Sequence, residues 1–238
     1  MRNVYYIARR ELGAYFVSPI AYVVSAIYLA IMGGLFAFIL YYSREATLRH
    51  LFLHGVTLLF LVLVTQVLTM RLLSDEQRQG TLELLLTSPL RDWEVIVGKY
   101  LASLCLLLVM ISLTAYFPIL LVRVGNPDLG PLFSTYLGYL LLGAALLAIG
   151  VFASSLTQNQ IVAAVLGIGI TLILWMAGAL GDFVGDTAKA VVAYLPIFDH
   201  YPDFVRGIID TKDIVYYLSI VALFLFFSTR VIESRRWK

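Results

Sequence analysis

Charge is what this chain has least of. Asp, Glu, Lys and Arg make up 13% of its 238 residues, about half the roughly 25% usual in soluble domains. The net charge is only +2, so a general attraction to nucleic acid has no basis. Cysteine is nearly absent. Cys105 stands alone inside an apolar run, which excludes an intramolecular disulfide, and it reads as a small buried apolar side chain. Histidine is scarce, and no H-E-x-x-H or G-x-S-x-G pattern occurs. His50 and His54 have the i, i+4 spacing of paired metal ligands on one helix face. No Glu follows His50 and only His200 remains elsewhere, so two interfacial histidines at a helix end is the competing reading. A G-x-x-x-x-G-K-[ST] loop is missing as well: Gly98-Lys99 is followed by Tyr100, and Trp93 stands where the first glycine would be. The chain cannot bind ATP in the usual way.

What it has instead is apolar length. Hydrophobic residues make up 61% of the sequence and the mean hydropathy is +0.90. A membrane-crossing helix needs about 20 mostly apolar residues. Six runs qualify: 20–42, 54–73, 101–122, 133–156, 161–180 and 214–231. The expected fold is an all-α integral membrane protein, one transmembrane domain over residues 1–238. The first run exceeds the about 7–15 residues of a signal h-region and no small-residue cleavage site closes it, so no cleavable signal is expected.

Six spans put both termini on one side. If that side is the cytoplasm, the inner segments carry 11 basic residues and the outer segments 6, and the positive-inside bias favours this orientation. Residues 2–18 space Val4, Ile7/Ala8, Leu12 and Tyr15/Phe16 on one face, with Arg9, Arg10 and Glu11 interposed. That pattern predicts an amphipathic helix lying in the membrane interface, either a simple anchor or a gating element. Ser18-Pro19 supplies an N-cap and a first-turn proline for the first span. On the outer side, residues 181–213 are long and acidic and include a weakly apolar piece, 188–198, too short to cross. Short helices dipping back toward the outer leaflet and a solvated loop both fit.

The polar interval 74–99, between the second and third runs, is unlike the other connections. Ser74 and Gln77 fit a capping box, and Gly80 permits a turn that a larger residue resists. Thr81 then caps a short helix with Glu83 in its first turn and leucines at Leu82, Leu84, Leu85 and Leu86. Ser88-Pro89 ends that helix and starts another, whose face of Leu90, Trp93, Ile96/Val97 and Tyr100 leads into the third span. A leucine-rich knob of this kind suits a groove on a soluble partner. A connector lying on lipid headgroups would also explain it.

The pattern Glu76-x-x-x-Gly80-Thr81-Leu82-Glu83-x-Leu85-Leu86-x-Ser88-Pro89, followed by Glu94 and Gly98-Lys99, resembles the cytoplasmic signature of type-2 ABC transporter permeases. The stretches Phe16–Tyr22 and Leu195–Tyr201, with Phe204–Asp210 and Tyr216-Tyr217, are similar to short permeases of the gliding-motility and nitrous-oxide-reductase-maturation groups. The resemblance implies an elbow helix over 2–18, a coupling region over 74–99 and an extracytoplasmic segment over 181–213. It further implies an ATPase interface at Glu76, Gly80, Thr81, Glu83, Leu85, Leu86, Ser88 and Pro89. The implied partners are an ABC ATP-binding subunit, which would hold the ATP and Mg, and a second permease, identical or not, with a seam at spans one and five. An extracytoplasmic accessory protein fits the same expectation. The chain itself would have no cofactor and no catalytic residue, and would sit in a bacterial inner membrane as an exporter subunit. An intramembrane enzyme or a channel subunit are the alternatives. Against a channel, residues 137–173 carry no charged side chain, and Ser154, Ser155, Thr157, Gln158, Asn159 and Gln160 cluster at the turn between spans four and five. That absence suits an amphipathic cargo. Gly138, Gly143, Gly150, Gly167 and Gly169 permit close helix contacts, with no dimer face assigned.

Overall fold

The computed structural model describes residues 2–43, 47–81, 90–125, 127–180 and 194–235. These form α1 (Arg2–Val17), α2 (Pro19–Ser43), α3 (Arg49–Leu53), α4 (Gly55–Thr69), α5 (Ser74–Arg78), α6 (Asp92–Leu113), α7 (Tyr116–Val124), α8 (Leu129–Leu156), α9 (Gln160–Leu180), α10 (Tyr201–Val205) and α11 (Thr211–Arg235). No strand occurs among the described residues. Six stretches are long and apolar enough to cross a membrane: α2, α4 with α5, α6 with α7, α8, α9 and α11. The fold is an all-α integral membrane protein, as the apolar runs predict.

The spans surround α8. Small residues on several faces, among them Gly138, Gly143, Ala145, Ala148, Gly150 and Ala153, let neighbours close in on it: 78% of its most apolar stretch lies inside the protein, against 17% for the equally apolar α2. Its glycines are notches for neighbours. A Cβ on Gly138 would fall 2.5 Å from Phe204 of α10, and one on Gly143 would fall 2.7 Å from Leu107 of α6. These two glycines serve packing within the chain. α2 and α9 turn most of their apolar surface outward, and Cys105, expected to be buried, is exposed on α6.

Two spans are interrupted, and each break is held by a hydroxyl of α8. Pro118 lacks the N–H that would bond the Thr114 carbonyl four residues back, so the third span breaks between α6 and α7. That carbonyl accepts from the Phe117 N–H at 2.9 Å and the Tyr136 hydroxyl at 2.8 Å. In the second span, the Ser154 hydroxyl enters the helical ladder at residues 70–73. It accepts from the Leu73 and Ser74 N–H groups, each at 3.1 Å, and donates to the Met70 carbonyl at 3.0 Å. An inserted side chain is a recognised cause of a helix break.

Several local expectations need correction. Ser74 and Gln77 do not form a capping box. The Ser74 hydroxyl donates back to the Met70 carbonyl, and the Gln77 amide crosses to α8. The third span starts at Asp92, two turns and more before the expected 101, with Leu90 and Arg91 non-helical; the expected Ser88-Pro89 break lies outside the described residues. The Glu94 carboxylate accepts from the Arg91 N–H at 3.1 Å and fixes that start. Trp93 is exposed although Ile96 and Tyr100 are buried. Pro19 opens α2 as expected, while the Ser18 hydroxyl accepts from the Arg71 guanidinium at 3.1 Å. His50 and His54 do not share a helix face: α3 ends at Leu53, and His54 caps α4 by accepting from the Val56 N–H. No group of three or more metal-ligating side chains occurs among the described residues.

At the end of the bundle away from α1, Pro196, Ile197, His200, Tyr201, Phe204 and Val205 are buried against α8 and α11, while Tyr194, Leu195 and Asp199 stay exposed. Ile197, Tyr201 and Phe204 are inaccessible. Their irregular backbone is satisfied by side chains: Tyr216 donates to the Leu195 carbonyl at 2.6 Å, Tyr217 to Ile197 at 3.0 Å, and Ser134 to Phe204 at 2.6 Å. His200 stacks on Tyr216 and meets buried Asp213 at 2.7 Å.

Candidate coupling site

The opposite end of the bundle gathers α1, α5, the start of α6 and the turn between α8 and α9. α1 carries its apolar spacing as predicted, with Val4, Ile7 and Tyr15 buried. It lies directly on α6, where Gly98 permits the approach: a Cβ there would sit 2.7 Å from the Ile7 Cγ2. The next residue supplies the charge. Lys99 Nζ is 2.7 Å from Glu76 Oε1 and 3.1 Å from Glu11 Oε1, and its side chain is only 1% exposed. Arg10 reaches the same two carboxylates at 2.7 Å to Glu11 and 3.3 Å to Glu76.

One buried lysine thus joins α1, α5 and α6. Burial pushes the Glu11 carboxyl up, but Lys99 and Arg10 outweigh it and hold the group below its ordinary value. The hydrogen bond to Glu11 raises the Arg10 guanidinium further. Arg10 is largely exposed, so screening leaves its contribution small. Lys99 is the costly member. Removing its charge would leave the two carboxylates with only the exposed Arg10 between them. A second tie reaches α6: the Asn3 amide donates to Glu94 at 3.1 Å.

The other flank of α5 is joined by neutral groups. Gln77 Nε2 donates to the carbonyls of Ser155 at 3.0 Å and Ser154 at 3.4 Å, which are among the four carbonyls a helix end leaves open. Gln160, at the start of α9, donates to Asp75. A polar cavity of about 850 Å³ opens beside them, lined by Arg78 and residues 156–161. A smaller one, about 320 Å³, lies over Glu11, Tyr15, Arg71, Glu76 and Lys99.

Of the residues singled out from sequence, Glu76 sits at the centre of this arrangement. Gly80 follows with φ +69°, the left-handed turn that favours glycine. The Thr81 hydroxyl donates back to the Glu76 carbonyl at 3.4 Å. Glu83, Leu85, Leu86, Ser88 and Pro89 lie outside the described residues. Glu11, Arg10, Ser154, Gln77 and Gln160 were not assigned to the site from sequence. The signals were present: Glu11 is the one acid of α1, and the polar run 154–160 interrupts two apolar spans.

A family model described as ABC-2 family transporter protein matches residues 14–232. The chain belongs to that family. The ABC-2 match makes it a permease, the membrane subunit of an ABC transporter, and a transport subunit of this kind is not itself catalytic. The family implies an ABC ATPase partner and often a second permease. No curated protein matches the permease along its sequence.

Proposed function

We propose that this permease is driven from its α5 end by a separate ABC ATPase and exports an amphipathic cargo. The observation that carries the reading is α5 itself: five residues, bonded to α1 and α6 through Glu76 and to α8 and α9 through Gln77, Ser154 and Asp75. A push on the chain just beyond Gly80 would act on four helices at once. The contact with the ATPase is assigned to Glu76, Gly80, Thr81, Glu83, Leu85, Leu86, Ser88 and Pro89, with ATP and Mg held by the partner. Both termini and the α5 end face the cytoplasm of a bacterial inner membrane, and the 181–213 segment faces outward. A second permease completes the unit, and the apolar outer faces of α2 and α9 support a seam there.

The test is affinity purification of the complex from its host in mild detergent. A protein bearing Walker motifs co-purifies, and Glu83→Arg or Leu85→Asp releases it while the permease stays folded. Retention after both changes places the interface elsewhere. Thiol labelling of a Gln79→Cys variant in intact cells checks sidedness, since labelling by an impermeant reagent contradicts a cytoplasmic α5.

A further inference from the structure

We infer that the Ser154 hydroxyl is the positioning element through which movement of α5 reaches the far end of the bundle; this rests on the reading that the ATPase acts at the α5 end. The bonding here is reciprocal. The break in the second span frees the N–H groups of Leu73 and Ser74, and Ser154 Oγ accepts both at 3.1 Å while returning its proton to the Met70 carbonyl at 3.0 Å. The end of α8 frees carbonyls at Ser154 and Ser155, and Gln77 of α5 donates to both. Each helix supplies what the other's terminus lacks. Ser154, Ser155 and Ser74 are fully buried and Gln77 nearly so, so water cannot take over these bonds without opening the contact.

The consequence is mechanical. Above the break, α4 packs on α8 through Gln66, whose amide donates to the Leu146 carbonyl at 3.3 Å. Below it, α5 stays joined to α4 through residues 70–73 and the Ser74 hydroxyl on the Met70 carbonyl, but the two N–H groups released at the break are bonded to Ser154 instead of to the α4 ladder. A displacement of α5 therefore acts on α8 directly as well as through α4. Ser154 sits two residues from the end of α8, the helix around which the other spans are arranged. α8 runs unbroken from Ser154 to Leu129 at the far end, about 38 Å at 1.5 Å per residue. A rigid rod of that length moves its far end when its near end is moved.

The experiment uses the complete permease–ATPase complex in lipid nanodiscs, with Cys105→Ser and a single reporter thiol at either Gln79→Cys, beyond α5, or Leu129→Cys, at the far end of α8. Maleimide labelling rates are compared without nucleotide and after trapping with ATP and vanadate. With Ser154 intact, trapping changes both rates several-fold. In Ser154→Ala, the change at position 79 persists and the change at position 129 collapses toward unity, with the ATPase still bound. Ser154→Thr, which keeps the hydroxyl, restores it. Should Ser154→Ala fail to accumulate, Gln77→Leu removes the reciprocal half of the same contact and decides by the same two rates. A full change at position 129 in Ser154→Ala overturns the inference, as does no change there in the parent despite a change at 79. If no ATPase binds, or position 79 never responds in the parent, the proposed function fails and the inference falls with it.

Discussion

The two ends of this bundle face the same physical problem and solve it differently. Each contains backbone that leaves the helical ladder at the edge of an apolar environment, where an unpaired polar group is costly. At the far end, around residues 194–217, the partners are tyrosine and serine hydroxyls embedded in packed rings, with Tyr28, Phe52, Tyr139 and Tyr201 adjoining. At the α5 end, the backbone partners are the Ser154 hydroxyl and the Gln77 carboxamide, with the charges of Lys99, Glu76 and Glu11 alongside and polar cavities at the border. Hydroxyls on rigid rings hold one arrangement. Charges and amides on longer side chains have more rotamers through which to rearrange. The difference marks the α5 end as the one whose contacts can exchange and the aromatic end as the one that shifts as a packed unit with α8.

The comparison is most easily broken at Lys99. Lys99→Met leaves Glu11 and Glu76 with only the exposed Arg10 as a shared cation, and a loss of up to about 3–5 kcal/mol is expected for a buried pair deprived of one partner. Thermal unfolding in detergent measures it, and adding Glu11→Gln and Glu76→Gln recovers most of the loss. At the other end, Gly138→Ala drives a methyl into Phe204, and overpacking of about 1–3 kcal/mol is expected. A smaller effect follows from Tyr217→Phe, which removes one hydroxyl from the Ile197 carbonyl and lowers stability by about 1 kcal/mol. Hydrogen exchange sharpens the result: the aromatic end should loosen while the α5 end keeps its protection.

The smallest effect is pH-dependent and confined to one end. Glu11 titrates below its ordinary value of 4.5. Its stabilising contribution is therefore complete above that value and is lost as pH falls through the lowered one. Acidification into that range should lower the melting temperature of the parent protein, and Glu11→Gln should flatten the dependence. An unchanged slope in Glu11→Gln would assign the acid sensitivity to other carboxylates.

The six spans are legible because lipid length is written in continuous apolar runs, but the central place of α8 is not, since α2 and α9 are just as apolar and face outward. Boundaries depart from hydropathy where charge is neutralised by a distant partner. Hydropathy places Glu94 and Lys99 outside the third span, yet α6 includes both, because Asn3, Glu11 and Glu76 meet them from other elements. The same blindness to distant partners made Ser74 and Gln77 look like a local cap. Their bonding groups are local in type, but Ser154 and the open end of α8 lie about 80 residues away. Glu76 and Gly80 were legible for a different reason: one carries a signature and the other needs a left-handed turn that few residues adopt. Arg10 and Glu11 gave no comparable pattern, since their role exists only once α1 lies on α6.

The brevity of α5 sets a rule for how this protein can vary. Adding or deleting one residue between Ser74 and Arg78 would rotate everything beyond it by about 100° around the helix axis, turning Glu76 and Gln77 away from partners on opposite flanks together. Side chains in this stretch can be exchanged one at a time with graded losses, whereas a change in its length severs both flanks in a single step. Homologous chains that keep this architecture should accordingly differ here by substitution, with insertions and deletions displaced to the connections beyond it.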